Sequence, residues 1–280
     1  MLTYRQFVHT LKAIGLDSHS RVIAHSGSSA PKKVSGGAET IVGALAATCE
    51  GVMMPAFTQR TTIIPPFGPL DNALEYGSET DGNQEAEIYH QGLPVDPGLG
   101  EVSEVMRSLP QVRRSDHPVL SFVGVNLEEA LRNQTIEEPF APIGWLADFD
   151  GDVLLIDTDH RSNVSLHRAE RLAGRRSFIR WALTEEGVVK CRNMPGCPDG
   201  FDAIRSRLEG ISHAAEYEGL RLEVIPVRDL VNAAVGWIHE DPRALLCDRP
   251  FCPRCAAVRT SVRKEDANME DGEQGQENTA

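Results

Sequence analysis

The chain has 280 residues, 41% of them hydrophobic, and its 41 acidic against 28 basic side chains give a formal net charge of −13. That is enough chain to bury a large core, as one α/β domain or two small ones. Three classes are disfavoured: no run approaches the roughly 18 consecutive apolar residues that span a bilayer, the N-terminus lacks the basic-then-apolar order of a secretory signal, and the charge balance denies the basic footprint that nucleic acid requires.

In chain order, Thr3 and Gln6 make a capping box for a first helix reaching about Ile14, which Gly15 closes. A short strand, Arg21–Ala24, then delivers His25-Ser26-Gly27-Ser28-Ser29 to its C-terminal end, and Gly36-Gly37-Ala38-Glu39 opens a helix running to about Cys49. Val52–Phe57 reads as a strand whose Pro55 restricts it to a sheet edge or a strand end. Residues 58–98 have little periodicity and are rich in Pro, Gly, Asp and Glu; loops of that length inside compact domains are usually functional. A helix over Gly98–Ser108, a polar turn Arg113–Pro118, a strand Val119–Val125 and a helix Leu127–Gln134 follow. The apolar run Asp152–Asp157 predicts a buried strand, and Arg161–Glu170 leads into a helix ending at Gly174. A hairpin is predicted from Phe178–Thr184 and Val188–Cys191 around Glu185-Glu186-Gly187, with helices over Asp199–Leu208 and Val227–His239. Helices and strands alternate with one hairpin between them, which predicts an α/β/α sandwich with a mixed central sheet plus a β-hairpin insertion. We expect one domain over 1–258 and an acidic disordered tail over 259–280, which is poor in apolar residues, in a cytoplasmic monomer or homodimer with no nucleic-acid or membrane partner.

The segment Asn163–Glu170 carries the strongest chemical signal. His167 and Glu170 lie three residues apart and share a helix face, so the carboxylate can orient the imidazole and balance the charge it acquires. Such a pair suits a general base near neutral pH; the alternative is a surface histidine with an acidic neighbour. The strand-to-helix turn with Ser26, Ser28 and Ser29, Gly36 and Gly37, and Lys32 and Lys33 nearby makes a phosphate cradle or a ligand-free Ser/Gly turn. Neither G-x-x-x-x-G-K-[ST] nor G-x-G-x-x-G is present, nor a G-x-S-x-G nucleophile elbow, nor H-E-x-x-H. Six cysteines are expected to be reduced. Cys247-x4-Cys252-x2-Cys255 with Cys191-x5-Cys197 faintly suggests zinc, but the spacings are not two paired C-x2-C arms, so no metal is assigned and any zinc there would be structural.

Four ordered blocks resemble the aminoglycoside 3-N-acetyltransferase family: His25-Ser26-Gly27-Ser28-Ser29 followed by Gly36-Gly37-Ala38-Glu39; Met54-Pro55-Ala56-Phe57-Thr58; Arg114-Ser115-Asp116-His117-Pro118; and Asn163-Val164-Ser165-Leu166-His167-Arg168-Ala169-Glu170. The resemblance spans residues 22 to about 240 and implies one acetyltransferase domain that uses acetyl-CoA to N-acetylate an aminoglycoside or another polyamine. It implies that His167 is the general base, with Glu170 its orienting partner, and that His25, Ser26, Gly27, Ser28, Ser29, Gly36, Gly37, Ser115 and His117 help hold the coenzyme. Departures fall at Gly27-Ser28, at Val164 and across residues 59–98. Carboxylates of Glu75, Asp96, Asp157 and Asp159 are candidates for pairing with substrate ammonium groups. Alternatives are a different amine acceptor, or a metal-dependent or non-catalytic protein on the same scaffold.

Overall fold

The computed structural model describes residues 1–77 and 81–262. Its elements are α1 (Tyr4–Ala13), β1 (Arg21–Ser26), α2 (Ala30–Lys33), α3 (Gly37–Thr48), β2 (Gly51–Pro55), β3 (Thr62–Ile63), α4 (Asp81–Gln84), α5 (Glu101–Ser108), β4 (Arg113–Arg114), β5 (Phe122–Val125), α6 (Glu128–Arg132), α7 (Ala141–Asp148), β6 (Asp152–Ile156), α8 (Ser165–Leu172), β7 (Phe178–Thr184), β8 (Gly187–Met194), β9 (His213–Tyr217), β10 (Leu220–Pro226) and α9 (Val227–Glu240). Seven strands form a mixed sheet in the order β4-β5-β2-β1-β6-β10-β9, and β3-β7-β8 form a separate small antiparallel sheet. The central strands β2, β1 and β6 are parallel; β5 and β10 beside them are antiparallel, and the edge strands β4 and β9 pair antiparallel with β5 and β10 and so run with the centre again.

Alternation along the central strands explains the layers. Val22 and Ala24 of β1, Val52 and Met54 of β2, and Leu154 and Ile156 of β6 pack into one core with residues of α1, α3 and α5. Ile23, Met53, Val153 and Leu155 point the other way, into a second core with α6, α7, α8 and α9. Successive side chains of a strand face opposite sides. A strand buried on both faces must therefore be apolar at every position, which is why 152–156 lacks a polar alternation.

Thr3 and Gln6 cap α1 reciprocally, with the Thr3 amide donating to Gln6 Oε1 at 2.8 Å, and Gly15 closes it at φ 102. A cap of this kind is worth about 1 kcal/mol. Pro55 ends a strand in the interior of the sheet, so the strand-end expectation holds and the edge expectation does not. Residues 199–208 form a 3-10 helix over Phe201–Arg207. The hairpin insertion is three-stranded because β3, from the long loop, pairs with β7. Asn72 fastens the same loop to β7 through both its amide groups, accepting from the Ile179 amide and donating to the Ile179 carbonyl. Residues 253–262 are helical, so the segment expected to be disordered from 259 is ordered through 262, and the rest of that expectation lies outside the described residues.

Candidate active site

Parallel order in the centre of the sheet places three strand ends together: β1 ends at Ser26, β2 at Pro55 and β6 at Ile156. Loops leaving such ends are where open α/β sheets bind ligands. Here they open a cavity of about 270 Å3 whose walls include His25, Ser26, Phe57, Gln59, His167 and Arg254. A larger recess of about 690 Å3, walled by Gly27, Ser28, Ser29, Asp157, Thr158 and Asp159, adjoins it, the two sharing Ser26, Gly98 and Ser162. Together they form an extended channel.

His167 stands on α8, which begins after the 3-10 turn His160–Ser162 at the end of β6. Its Nδ1 lies 2.8 Å from Glu170 Oε2. The other carboxylate oxygen, Oε1, accepts from Arg175 Nη1 at 3.0 Å, and Arg175 Nη2 donates onward to the carbonyls of Pro242 and Ala244. The imidazole stacks on Phe140 at 5.6 Å between centroids and meets Phe201 at 4.7 Å. Two aromatic walls and one carboxylate therefore fix the ring, and with Nδ1 donating to Glu170, Nε2 is the nitrogen left to accept a proton. The i, i+3 spacing made the His167–Glu170 pair legible. Arg175, Phe140 and Phe201 were missed because they come from outside α8.

A second buried network lies beside the first. Asn163 Nδ2 donates to His160 Nδ1 at 3.3 Å, which leaves the His160 Nε2 proton for Glu223 Oε1 at 3.4 Å. Glu223 Oε2 accepts from Arg205 and Arg221, each at 2.8 Å. Burial alone would raise the Glu223 pKa, but His160 and the Arg205 guanidinium outweigh it and hold the carboxyl down at about 2. Asn163 Oδ1 also accepts the Ser165 amide, so this network fixes the turn into α8.

The remaining expected residues divide sharply. His25 and Ser26 line the cavity, and Gly27, Ser28 and Ser29 line the recess. Gly27 is required by packing, since a β-carbon there would meet the Asp157 carbonyl oxygen at 2.1 Å. Ser29 Oγ is taken up by Asp157. Gly36 and Gly37 line neither space: at φ 83 and 63 they turn the chain into α3, and their glycine character is conformational. Ser115 and His117 also stand away from the channel. Ser115 Oγ accepts the Phe122 amide, and His117 Nδ1 accepts the amides of Val119 and Leu120, so both shape the turn into β5. Lys33 binds Asp157 at 2.7 Å, and Arg161 binds Asp159, so these two carboxylates sit in the recess wall already matched by cations. Asp96 accepts the Gln59 amide and holds that cavity residue in place, while Glu75 is exposed and outside both spaces.

The sequence profile of the aminoglycoside 3-N-acetyltransferase family matches residues 23–239, and the chain belongs to that family. It is 29% identical over 183 residues to the prophage-derived aminoglycoside N(3')-acetyltransferase-like protein YokD of Bacillus subtilis strain 168, a match covering 60% of this chain and 64% of the relative, hence less than two thirds of its length. Its fold is similar to that of the aminoglycoside acetyltransferase AAC(3)-IVa apoenzyme, at a TM-score of 0.75 and 23% identity over 93% of this chain and 98% of the other. AAC-IIIb, solved as a binary complex with CoASH, superposes at a TM-score of 0.69 with 18% identity, over 85% of this chain and 96% of that one.

Proposed function

We propose that the protein transfers the acetyl group of acetyl-CoA directly to the 3-amino group of an aminoglycoside, with His167 as the general base. The observation that carries this reading is the ring of His167 on the cavity wall, oriented through Nδ1 by Glu170 and through Glu170 by Arg175. An amine attacks a thioester only when neutral, and amines of this class arrive largely protonated, so the acceptor must lose a proton at the site. Nε2 of His167 takes it, and Glu170 stabilises the imidazolium that results. Acetyl-CoA supplies the activated acetyl group. The two adjoining spaces suit a long, anionic co-substrate: they share Ser26, Gly98 and Ser162 between His167 and the Ser26–Ser29 turn, Arg254 stands in the wall of the cavity, none of the described residues lining that cavity is a carboxylate, and Asp157 and Asp159 of the recess are paired with Lys33 and Arg161. Ser26, Gly27 and Ser28 with Arg161 and Arg254 are the residues placed to hold it. Gln59, fixed by Asp96, stands in the same wall at the start of the 59–98 segment.

The absence of a carboxylate among those lining residues also favours a second reading, in which the acceptor carries fewer positive charges than an aminoglycoside. Release of CoA thiol from acetyl-CoA, followed across several aminoglycosides and several singly charged primary amines, tests both. Release with aminoglycosides, with the new amide at the 3-position, is expected. Release with simple amines alone selects the second reading, and no release with any amine contradicts acetyl transfer.

A further inference from the structure

Spacing assigned no metal to the cysteines, yet the fold assembles what the sequence separates. Cys191 is buried within β8, whereas Cys197, three residues past the end of that strand, meets Cys247, Cys252 and Cys255 from the C-terminal segment. The four Sγ atoms all lie within 4.8 Å of one another, all four residues are buried, and all four are free thiols. Three of them lie beyond the residues matched by the family profile. We propose that Cys197, Cys247, Cys252 and Cys255 bind one zinc ion in a closed tetrahedral thiolate site that fastens the C-terminal segment to the wall of the catalytic cavity.

The geometry and the chemistry agree. Four sulfurs about 2.3 Å from one zinc ion stand about 3.8 Å apart, so only a small contraction of the observed cluster is required. Cys252-Pro253-Arg254-Cys255 is a C-x2-C arm running into the first turn of the 253–262 helix, and Cys197 and Cys247 complete the set from two other segments. Binding forms four S–Zn bonds and releases the thiol protons to solvent, leaving the site with a net charge of about −2. A cation is in place to balance it: Arg249 Nη2 lies 3.5 Å from Cys197 Sγ and also pairs with Asp199. Leu246 packs against the cluster from the apolar side. With four protein ligands the ion has no open position, so its role is to hold structure.

That structure is one face of the active site. Pro195, Gly196 and Pro198 flank Cys197, Arg254 lies between two of the ligands, and all four residues line the cavity with His167. Arg254 Nη1 donates to the Gly196 carbonyl at 3.1 Å, and a β-carbon at Gly196 would stand 3.7 Å from Glu170 Oε2. The ion thus keeps this wall against the carboxylate that orients His167.

The test uses the full chain, purified under reducing conditions without chelator, and its readout is metal content, so it is independent of acetyl transfer. Elemental analysis is expected to give about one zinc per chain, retained through gel filtration, and cobalt substitution to give the intense sulfur-to-metal charge-transfer bands of a tetrahedral thiolate site. In the zinc form four thiols should resist alkylation until a mercurial releases the metal, a measurement that needs no variant. Cys247→Ser with Cys252→Ser should lose the metal, whereas Cys191→Ala should keep it. Metal-free protein whose melting temperature does not respond to added zinc, disulfides among the four cysteines, or full zinc content in the double variant would each overturn the proposal.

Discussion

Glu170 has two partners and each oxygen serves one of them: Oε2 meets His167 Nδ1, and Oε1 receives the Arg175 guanidinium. Replacing it with Gln keeps the size but removes the charge that stabilises the imidazolium. A positioned general base contributes about 10²- to 10⁴-fold and the orienting carboxylate supplies part of that, so Glu170→Gln is expected to lower kcat by about tenfold with the KM for acetyl-CoA unchanged; equal kcat in steady-state assays would contradict the pairing. Arg175 is only 3% exposed along its side chain. Arg175→Met leaves a buried carboxylate without its cation, and breaking a buried pair from one side costs about 3 kcal/mol. Urea unfolding should show that loss, and a change under about 1 kcal/mol would mean that water screens Glu170. At this scale the sequence disclosed the His167–Glu170 pair, because helix periodicity alone brings residues 167 and 170 together. It could not disclose Arg175, whose other hydrogen-bond partners, the carbonyls of Pro242 and Ala244, lie 67 and 69 residues further along the chain.

The elements were legible where their burial is uniform and obscure where a turn residue is unusual. The runs Arg21–Ala24, Val52–Phe57 and Asp152–Asp157 read as strands because both faces of the sheet are covered there, and the structure sets the strands at 21–26, 51–55 and 152–156. Helix α7 was not predicted; its Pro142 stands in the first turn, where the missing N–H is no loss. The β9–β10 hairpin was missed as well: Glu218 and Gly219 take φ 48 and 79, a tight turn in which Asn-Gly is the familiar signal and Glu is not. Within the blocks that carry the family resemblance, Gly36, Gly37, Ser115 and His117 shape turns and line neither the cavity nor the recess, which points to a role in the fold rather than in coenzyme binding. Gly36→Ala tests this distinction. A β-carbon there would meet Thr40 Oγ1 at 2.3 Å with φ at 83, and strain of this kind costs about 1–3 kcal/mol. Thermal melting should report the destabilisation while calorimetric affinity for acetyl-CoA stays at the parent value; a tenfold or greater loss of affinity in the folded variant would return Gly36 to the coenzyme site.

Across the molecule, buried histidines set the response to acid. Burial, reinforced by His160, lowers the His25 pKa from 6.5 to about 3, and burial lowers that of His117 to about 4. Both groups are neutral when folded and take up protons more readily when unfolded, so their contribution is complete above pH 6.5 and is lost as the pH falls towards 4 and 3. Asp152 works in the opposite sense, because burial and then Asp150 raise its carboxyl to about 6, but two histidines outweigh one carboxylate in that window. Glu223, held at about 2, adds to the acid loss only below its unfolded value of 4.5. The melting temperature is therefore expected to fall between pH 6.5 and 4 and more steeply below; a flat or rising profile over that range would contradict the neutral burial of His25 and His117. The proposed function joins the channel, His167 and Glu170 in one unit, and its most direct test is turnover of acetyl-CoA with an aminoglycoside by the parent protein and by His167→Ala, measured beside the affinity of each for acetyl-CoA. Loss of a positioned general base should reduce kcat by about 10²-fold or more with acetyl-CoA affinity unchanged, whereas undiminished turnover by His167→Ala would contradict the account.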